Sequence, residues 1–375
     1  MEESLQEQEP VSTYNDILDL VLTIFEKNQF LKDEINKLPE TQRWYAIIDA
    51  LITQIIRKSS TRINIAPYYR TRLIIDLKMY WELGDDYLKI SKSILGELRI
   101  IPTGLSYVLI DKEKGIIYKL IKDAQEKTSR TYNIKLEMWC TALVFNECDG
   151  VPRIYEPIYD SNGNIMGFSA ELIHGKTYFD KIWSNFENFI SGSANNLKTL
   201  LSIIDTLSVV HELGLIHRDI KPNNIVVTDD GRGKLIDFNL VADPIVESIP
   251  GDPPRVCGTD KYISPEIAQG VDFDHRSDLY SLGIIIYETI FQHPPFRNDS
   301  ARTNLLMHVN SPIPLPQNIN KKTEDFLLKV TAKNPNDRFQ TAKEMKEGLQ
   351  EFIEFYEVHG AYTHNSPSRS LAGNS

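Results

Sequence analysis

One short stretch restricts this chain more than any other: Ile216-His217-Arg218-Asp219-Ile220-Lys221-Pro222-Asn223-Asn224-Ile225-Val226-Val227. It sets a carboxylate, a lysine two residues later and an asparagine five residues later in a tight polar loop. A predicted helix precedes the loop and a short apolar strand follows it. Next, Leu235-Ile236-Asp237-Phe238 places a second carboxylate at the end of another apolar strand. Together these residues offer an acceptor for a hydroxyl proton, a cation and oxygen ligands for Mg²⁺, the parts that phosphoryl transfer needs. A polar surface turn would account for one such motif. It does not account for both, in this order and at this separation.

The rest of the chain falls into three textures. Residues 1–95 read as an all-helical extension. Thr13 is placed to cap a segment with Ile17, Leu20, Val21 and Ile24 at helical spacing. Trp44, Ile47, Ile48, Leu51 and Ile55 form a second periodic stretch, and Leu73, Ile74, Leu77, Tyr80 and Trp81 a third after Pro67. From about Leu95 the chain turns β-branched and aromatic. The stretches 100–111 and 115–121 predict a hairpin around Asp111-Lys112-Glu113-Lys114-Gly115. A helix follows over about Thr131–Asn146, then two strand-like runs flank Asp160-Ser161-Asn162-Gly163-Asn164. After Gly175 the pattern is mostly helical. Strands first and helices afterwards describe an α+β protein with a small sheet lobe and a larger helical lobe. The polar end, HNSPSRSLAGNS, predicts a disordered tail over 357–375.

The loop and the Asp237-Phe238 motif resemble the protein kinase superfamily, whose pattern is HRDxKxxN followed by DFG. The resemblance extends over residues 96–356. Cys257-Gly258-Thr259-Asp260-Lys261-Tyr262-Ile263-Ser264-Pro265-Glu266 is similar to the peptide-docking end of a kinase activation segment, with SPE standing for APE. Asp278, in Arg276-Ser277-Asp278-Leu279, matches the aspartate that anchors the catalytic loop. Arg338 matches the arginine that pairs with the glutamate of APE, here Glu266. The pieces YISPE, RSDLYSLG and NPNDRFQTAKEM are closest in style to bacterial, eukaryotic-like Ser/Thr kinases.

The resemblance implies a bilobal kinase fold, with a sheet lobe over 96–173 and a helical lobe over 174–356. It implies that Asp219 accepts the proton of the attacking hydroxyl and that Lys221 neutralises phosphate charge. Asn224 and Asp237 then hold Mg²⁺, with Mn²⁺ as an alternative, and Thr259 belongs to the substrate-docking run. His217 is expected to pack in the core beneath the loop rather than act as a base. Lys221 and Thr259 together imply Ser/Thr acceptors, and the family resemblance implies ATP as the donor. The competing reading is a pseudokinase serving as a nucleotide-binding scaffold, but such proteins usually lose one of the positions held here by Lys119, Asp219 and Asp237.

In the sheet lobe, strand alternation puts Lys119 inward beside Ile117 and Ile121. An inward lysine needs a partner, and Glu137 lies on the predicted helix that follows. This resembles the strand-lysine and helix-glutamate pair of kinases, which holds the α- and β-phosphates. Glu171-Leu172-Ile173 matches the hinge that meets adenine, with Ala170 as gatekeeper. The glycine-rich loop departs from the family. Its three glycine positions hold Ile101, Thr103 and Ser106, with only Gly104 nearby and Val108 beyond. Asn239 stands where DFG has glycine, and asparagine tolerates the left-handed region better than most residues.

The activation segment also departs from habit. Arg255 stands two before Cys257, where many relatives carry a phosphorylated threonine. Ser248 is the only hydroxyl residue between Asp237 and Cys257, whereas Asp243, Glu247 and Asp252 supply fixed negative charge. The reading predicts an enzyme active without activation-loop phosphorylation, with Asp252 or Glu247 meeting Arg218.

Composition narrows the remaining classes. A formal net charge of -11 argues against nucleic-acid binding, which needs clustered Lys and Arg. No stretch reaches the ~18–20 apolar residues of a membrane span. The acidic start, MEESLQEQEP, is unlike a secretory signal. Three cysteines, scattered at 140, 148 and 257, make neither a disulfide framework nor a zinc site. A soluble, cytoplasmic protein acting on protein substrates is expected, with delivery into a host cell left open. Residues 1–95 are read either as stabilising the sheet lobe or as a docking module for substrate or partner.

Overall fold

The computed structural model describes residues 14–27, 73, 76–77, 79–80, 84–93, 98–102, 106–121, 127–159, 163–184, 189–242 and 256–363. The chain forms two compact units. One comprises 1–130 with 158–167, the other 131–157 with 168–375. The sequence places its boundaries at 95/96 and 173/174, but the contacts group the helical extension with the first strands.

In the first unit, α1 (Tyr14–Lys27) buries Leu18, Val21, Leu22 and Phe25, the spacing of one helix face. Residues 73, 76–77 and 79–80 are helical and bury Leu73, Leu77 and Met79. Helix α2 (Asp85–Ser93) closes the group. Asp76 is fully buried and takes the hydroxyls of Tyr87 and Ser91, the latter at 2.8 Å. Tyr80 donates to Glu26 at 2.7 Å, and Lys92 pairs with Asp19. These bonds tie all three helical segments together. Thr13 and the stretch 44–55 lie outside the described residues.

Two strands stand where the sequence reads one over 100–111: β1 (Leu98–Pro102) and β2 (Ser106–Asp111), antiparallel, with Ile101 opposite Val108. β2 pairs in turn with β3 (Ile116–Ile121), as the hairpin predicts, and the Asp111 carboxylate caps the turn by accepting the Lys114 amide at 3.1 Å. With β4 (Ile154–Tyr159) and β5 (Ile165–Glu171) they form a five-stranded sheet in the order β1-β2-β3-β5-β4. Gly167 is required where β5 meets β3, because a Cβ there would lie 2.2 Å from the Lys119 carbonyl oxygen. Helix α3 (Lys127–Glu147) begins four residues before the expected start.

The second unit is helical around one apolar core. A small sheet of β6 (Lys176–Thr177), β7 (Ile225–Val227) and β8 (Gly233–Leu235) carries the functional loops. α4 (Tyr178–Ser184) precedes α5 (Phe189–Glu212), which buries Leu197, Leu200, Ile204 and Leu207 at helical spacing. Ser202 fastens α5 to β8 by accepting the Gly233 amide at 2.8 Å. α6 (Pro265–Gln269) leads to α7 (Arg276–Phe291), which is buried on every side from Ser277 to Ile290. A helix apolar all round belongs at the centre of a fold. α8 (Ala301–Asn310) packs against α6, α9 (Lys321–Val330) against α7, and α10 (Ala342–His359) against α5 and α9, with Phe326 and Phe352 stacked at 4.3 Å.

Described structure continues past 357, where the sequence expects the tail to start. α10 continues to His359, Ala361 is buried, and Tyr362 bridges to Ile319. Apolar contact holds these residues in spite of their polar neighbours. Residues 364–375 lie outside the described part.

Candidate active site

The loop after α5 is held by its backbone. The N–H groups of His217 and Arg218 donate to Asp278 Oδ2 and Oδ1, each at 2.9 Å. Asp278 stands in the first turn of α7 and is fully buried. His211 Nε2 lies 3.0 Å from Asp278 Oδ2 as a third polar contact. Burial opposes ionisation, but the bonds from His211 and the His217 amide carry the Asp278 carboxyl below its ordinary range. Arg218 sits at φ 63°, a left-handed conformation costing about 1–3 kcal/mol that the surroundings must hold. Its Nε donates to the Leu240 carbonyl at 2.6 Å, and its guanidinium lies 5.5 Å from the Phe273 ring centre.

His217 is fully buried with its ring 4.7 Å from that of Phe238. Its Nδ1 accepts the Asp219 amide at 3.3 Å, and burial lowers its pKa. It is a neutral wedge under the loop, in keeping with the core position expected for it.

Above this wedge, three side chains close on the carboxylate of Asp219. Thr259 Oγ1 donates to Asp219 Oδ1 at 2.7 Å. Lys221 Nζ donates to Asp219 Oδ2 at 2.6 Å and to Thr259 Oγ1 at 3.0 Å. Asn224 Nδ2 donates to the Asp219 carbonyl at 3.0 Å and to Oδ2 at 3.2 Å. The segment around Thr259 can come this close only because residue 258 is glycine. Gly258 has φ 113°, and a Cβ there would lie 2.8 Å from the Arg218 carbonyl oxygen.

The second carboxylate is tied to the same loop. The Asn224 carbonyl accepts the Ile236 amide at 2.8 Å, so Asp237 follows directly on a fixed strand end. Asp237 itself takes φ 72°, while Asn239 is absent from the positive-φ residues. The left-handed turn expected at Asn239 therefore falls two residues earlier, on a short polar side chain that tolerates it.

A buried ion pair fixes the docking run from below. Arg338 donates to Glu266 Oε1 at 2.8 Å and Oε2 at 2.7 Å, and Ser277 donates to Oε1 at 2.5 Å. Burial opposes the Glu266 charge, yet the Arg338 fork keeps its carboxyl below the ordinary range. Tyr262 donates to Glu288 at 2.8 Å, and burial pushes the Glu288 carboxyl up.

The nucleotide-side candidates are each placed within their own unit. Lys119 on β3 is buried, and so is Glu137 on α3. Ile101 is exposed, Val108 and Ile173 half-buried, and Ala170 fully buried. The Glu171 amide donates to the Arg153 carbonyl at 2.8 Å. Thr103, Gly104, Ser248 and the acidic residues 243, 247 and 252 lie outside the described residues. His211 and Glu288 went unmarked in the sequence, since a lone helix histidine or glutamate carries no signal of its neighbours.

These observations leave one family in view. The family model for the protein kinase domain matches residues 103–349. The chain belongs to the protein kinase family. A probable serine/threonine-protein kinase of Clostridium acetobutylicum is 30% identical over 264 residues, 68% of this chain and 38% of its own. A probable serine/threonine-protein kinase of Clostridium perfringens is 39% identical over 149 residues, 39% of this chain and 22% of its own. PknB of Mycobacterium leprae is 40% identical over 147 residues, 38% of this chain and 24% of its own. This kinase chain therefore spans between about a fifth and two fifths of these relatives.

The kinase loop has a donor set that fits Mg²⁺. Asn224 spends its Nδ2 on Asp219 and so presents its amide oxygen, and Asp237 adds a carboxylate. Mg²⁺ prefers oxygen and is commonly held by one or two such groups together with substrate phosphates. The described residues contain no group of three or more His, Cys, Asp or Glu that could hold a metal ion.

Proposed function

We propose that this kinase transfers the γ-phosphoryl group of ATP to serine or threonine hydroxyls of proteins, without a phosphate in its activation segment. The observation that carries the reading is the closed arrangement of Asp219, Lys221 and Thr259. A substrate hydroxyl entering there displaces the Thr259 bond and donates to Asp219. Its oxygen attacks the γ-phosphorus, the bond to the β-γ bridging oxygen breaks, and the hydroxyl proton passes to Asp219. Lys221 Nζ, already fixed at the carboxylate, offsets charge on the transferring group. Asn224 and Asp237 would hold Mg²⁺, which when bound neutralises phosphate charge. Lys119 and Glu137 are assigned to the α- and β-phosphates on the sequence pattern, and Glu171 and Ile173 to adenine. Thr259 and its run receive the peptide.

Independence from phosphorylation rests on Arg218. Its side chain already engages the Leu240 carbonyl and the Phe273 ring. On the sequence pattern, Asp252 or Glu247 supplies the negative charge that a phosphate would otherwise bring to Arg218. The test is transfer of labelled phosphate from ATP and Mg²⁺ to a generic basic protein. Phosphatase-treated and Ser248→Ala chains should both keep most of the parent rate, and Asp219→Asn should not. Loss of activity on either of the first two treatments would make Ser248 a switch. A parent indistinguishable from Asp219→Asn would leave a nucleotide-binding scaffold as the better reading.

A further inference from the structure

The turn after Asp237 buries a polar atom that the chain itself does not satisfy. Asn239 Oδ1 is shut away from water and has no hydrogen-bond partner. A buried acceptor left in this way is costly, and it points to a partner from outside the chain, a water or an ion. The backbone keeps this oxygen close to the loop that carries Asn224. The Ile236 amide is bonded to the Asn224 carbonyl at 2.8 Å, and Asp237 then reverses the chain with φ 72°. The Val241 amide closes the turn on the Phe238 carbonyl at 3.3 Å, and Arg218 Nε holds the Leu240 carbonyl at 2.6 Å.

Three oxygens of one chemical kind meet in this frame. Asn224 spends its Nδ2 on Asp219 and keeps its amide oxygen, Asp237 brings a carboxylate, and Asn239 brings a second amide oxygen. The spacing Asp-x-Asn lets two side-chain oxygens meet one cation in a tight turn, as the first and third positions of a calcium loop do. Hard divalent cations accept such neutral oxygens beside a carboxylate.

We propose that Asn239 Oδ1 is a third protein ligand of the divalent cation assigned to Asn224 and Asp237. The assignment rests on the metal site of the kinase reading above and deepens it. With three oxygens from one chain, the cation is held before any nucleotide phosphate arrives.

The experiment titrates MnCl2 alone into the full chain, without nucleotide, and follows free Mn²⁺ by its EPR signal. Asn239→Gly and Asn239→Leu both remove the oxygen, and Asn239→Asp keeps one. The parent should take up Mn²⁺, the Gly and Leu variants should bind it about 10–100-fold more weakly, and the Asp variant at least as tightly as the parent. Saturating Mn²⁺ should also raise the thermal midpoint of the parent and the Asp variant more than that of the other two. Asp237→Asn should weaken uptake as well, which places the ion at this turn. If Asn239→Leu fails to fold, Asn239→Gly, which has no side chain to misfit, carries the comparison. Phosphate transfer from labelled ATP is read separately on each chain.

Equal Mn²⁺ affinity in the parent, Gly and Leu chains would overturn the proposal. The buried oxygen would then belong with His217 Nε2, the other unpartnered polar atom beside Phe238. A parent that takes up no Mn²⁺ without nucleotide would overturn it too, as would uptake that Asp237→Asn leaves unchanged. If the affinity contrast stands while the parent transfers no phosphate, the kinase reading falls and the metal site survives. If every Asn239 variant transfers phosphate normally and binds Mn²⁺ alike, the third ligand falls and the kinase reading survives.

Discussion

Asp219 accepts bonds from Thr259, Lys221 and Asn224, and all three donors remain when it is replaced by Asn. Asp219→Asn should therefore fold but lose ~10²–10⁴-fold in rate, the usual contribution of a positioned base. The measurement is phosphate transfer at saturating ATP alongside a melting curve. Lys119 presents a different case at the same scale. It is buried at 6% exposure in β3, where an isolated ammonium would be costly. Lys119→Met should abolish most turnover with little loss of stability, and an unimpaired variant would show that another cation serves the phosphates. Arg338 makes two parallel bonds to Glu266, and both side chains are almost wholly buried, 1% and 7% exposed. Arg338→Leu strands a buried carboxylate and should cost about 3–5 kcal/mol in a denaturant titration. Adding Glu266→Leu should recover part of that loss, since the uncompensated charge is then gone.

Between elements, the contact of α7 with α8 carries a pH dependence. His308 on α8 is fully buried, bonded through Nδ1 to Tyr280 on α7 at 2.9 Å, and backed by Lys333, which donates to its carbonyl at 2.7 Å. Burial first, and then the Lys333 charge, lower the His308 pKa from 6.5 to about 4. Asp260 and the backbone of Lys261 face the same ring and act in the opposite direction. Between those two values the unfolded chain binds more protons than the folded one, so stability rises with pH there and falls on acidification. The shift corresponds to roughly 1–3 kcal/mol lost from pH 7 to pH 4. Glu266 and Asp278 have depressed pKa values, so their contribution persists through this window and is lost only below the ordinary carboxylate range. His308→Gln should start less stable at pH 7.5, having lost its bond to Tyr280, but lose less on going to pH 5. Equal slopes for parent and variant in denaturant titrations would show that other groups govern acid stability.

At the scale of the whole molecule, the helical extension shares one compact unit with β1, β2 and β3. Its described helices bury Leu18, Val21, Phe25, Leu73 and Leu77 completely and are cross-linked through Asp76. Deleting residues 1–95 cuts through this unit and should lower the melting temperature or cause aggregation. A docking role predicts instead a stable truncated enzyme that phosphorylates a generic peptide but not its native target. Retained stability with retained native targeting would exclude both readings.

The sequence alone determined the order of strands before helices and the chemistry of the loop. Those features depend on residue type and near spacing, which local physics reads directly: the Asp219, Lys221 and Asn224 run, the apolar strands before Asp237, and the periodic faces of the helices. Thr259, forty residues beyond Asp219, was reachable only through the family pattern. What the tertiary structure decided were matters of approach between distant segments. It split the stretch 100–111 into two strands, moved the left-handed turn from Asn239 to Asp237, and carried order past 356 by burying Ala361. It also brought His211 to Asp278 across 67 residues. A buried carboxylate takes whichever donor the packed fold delivers, and sequence spacing holds no record of that distance.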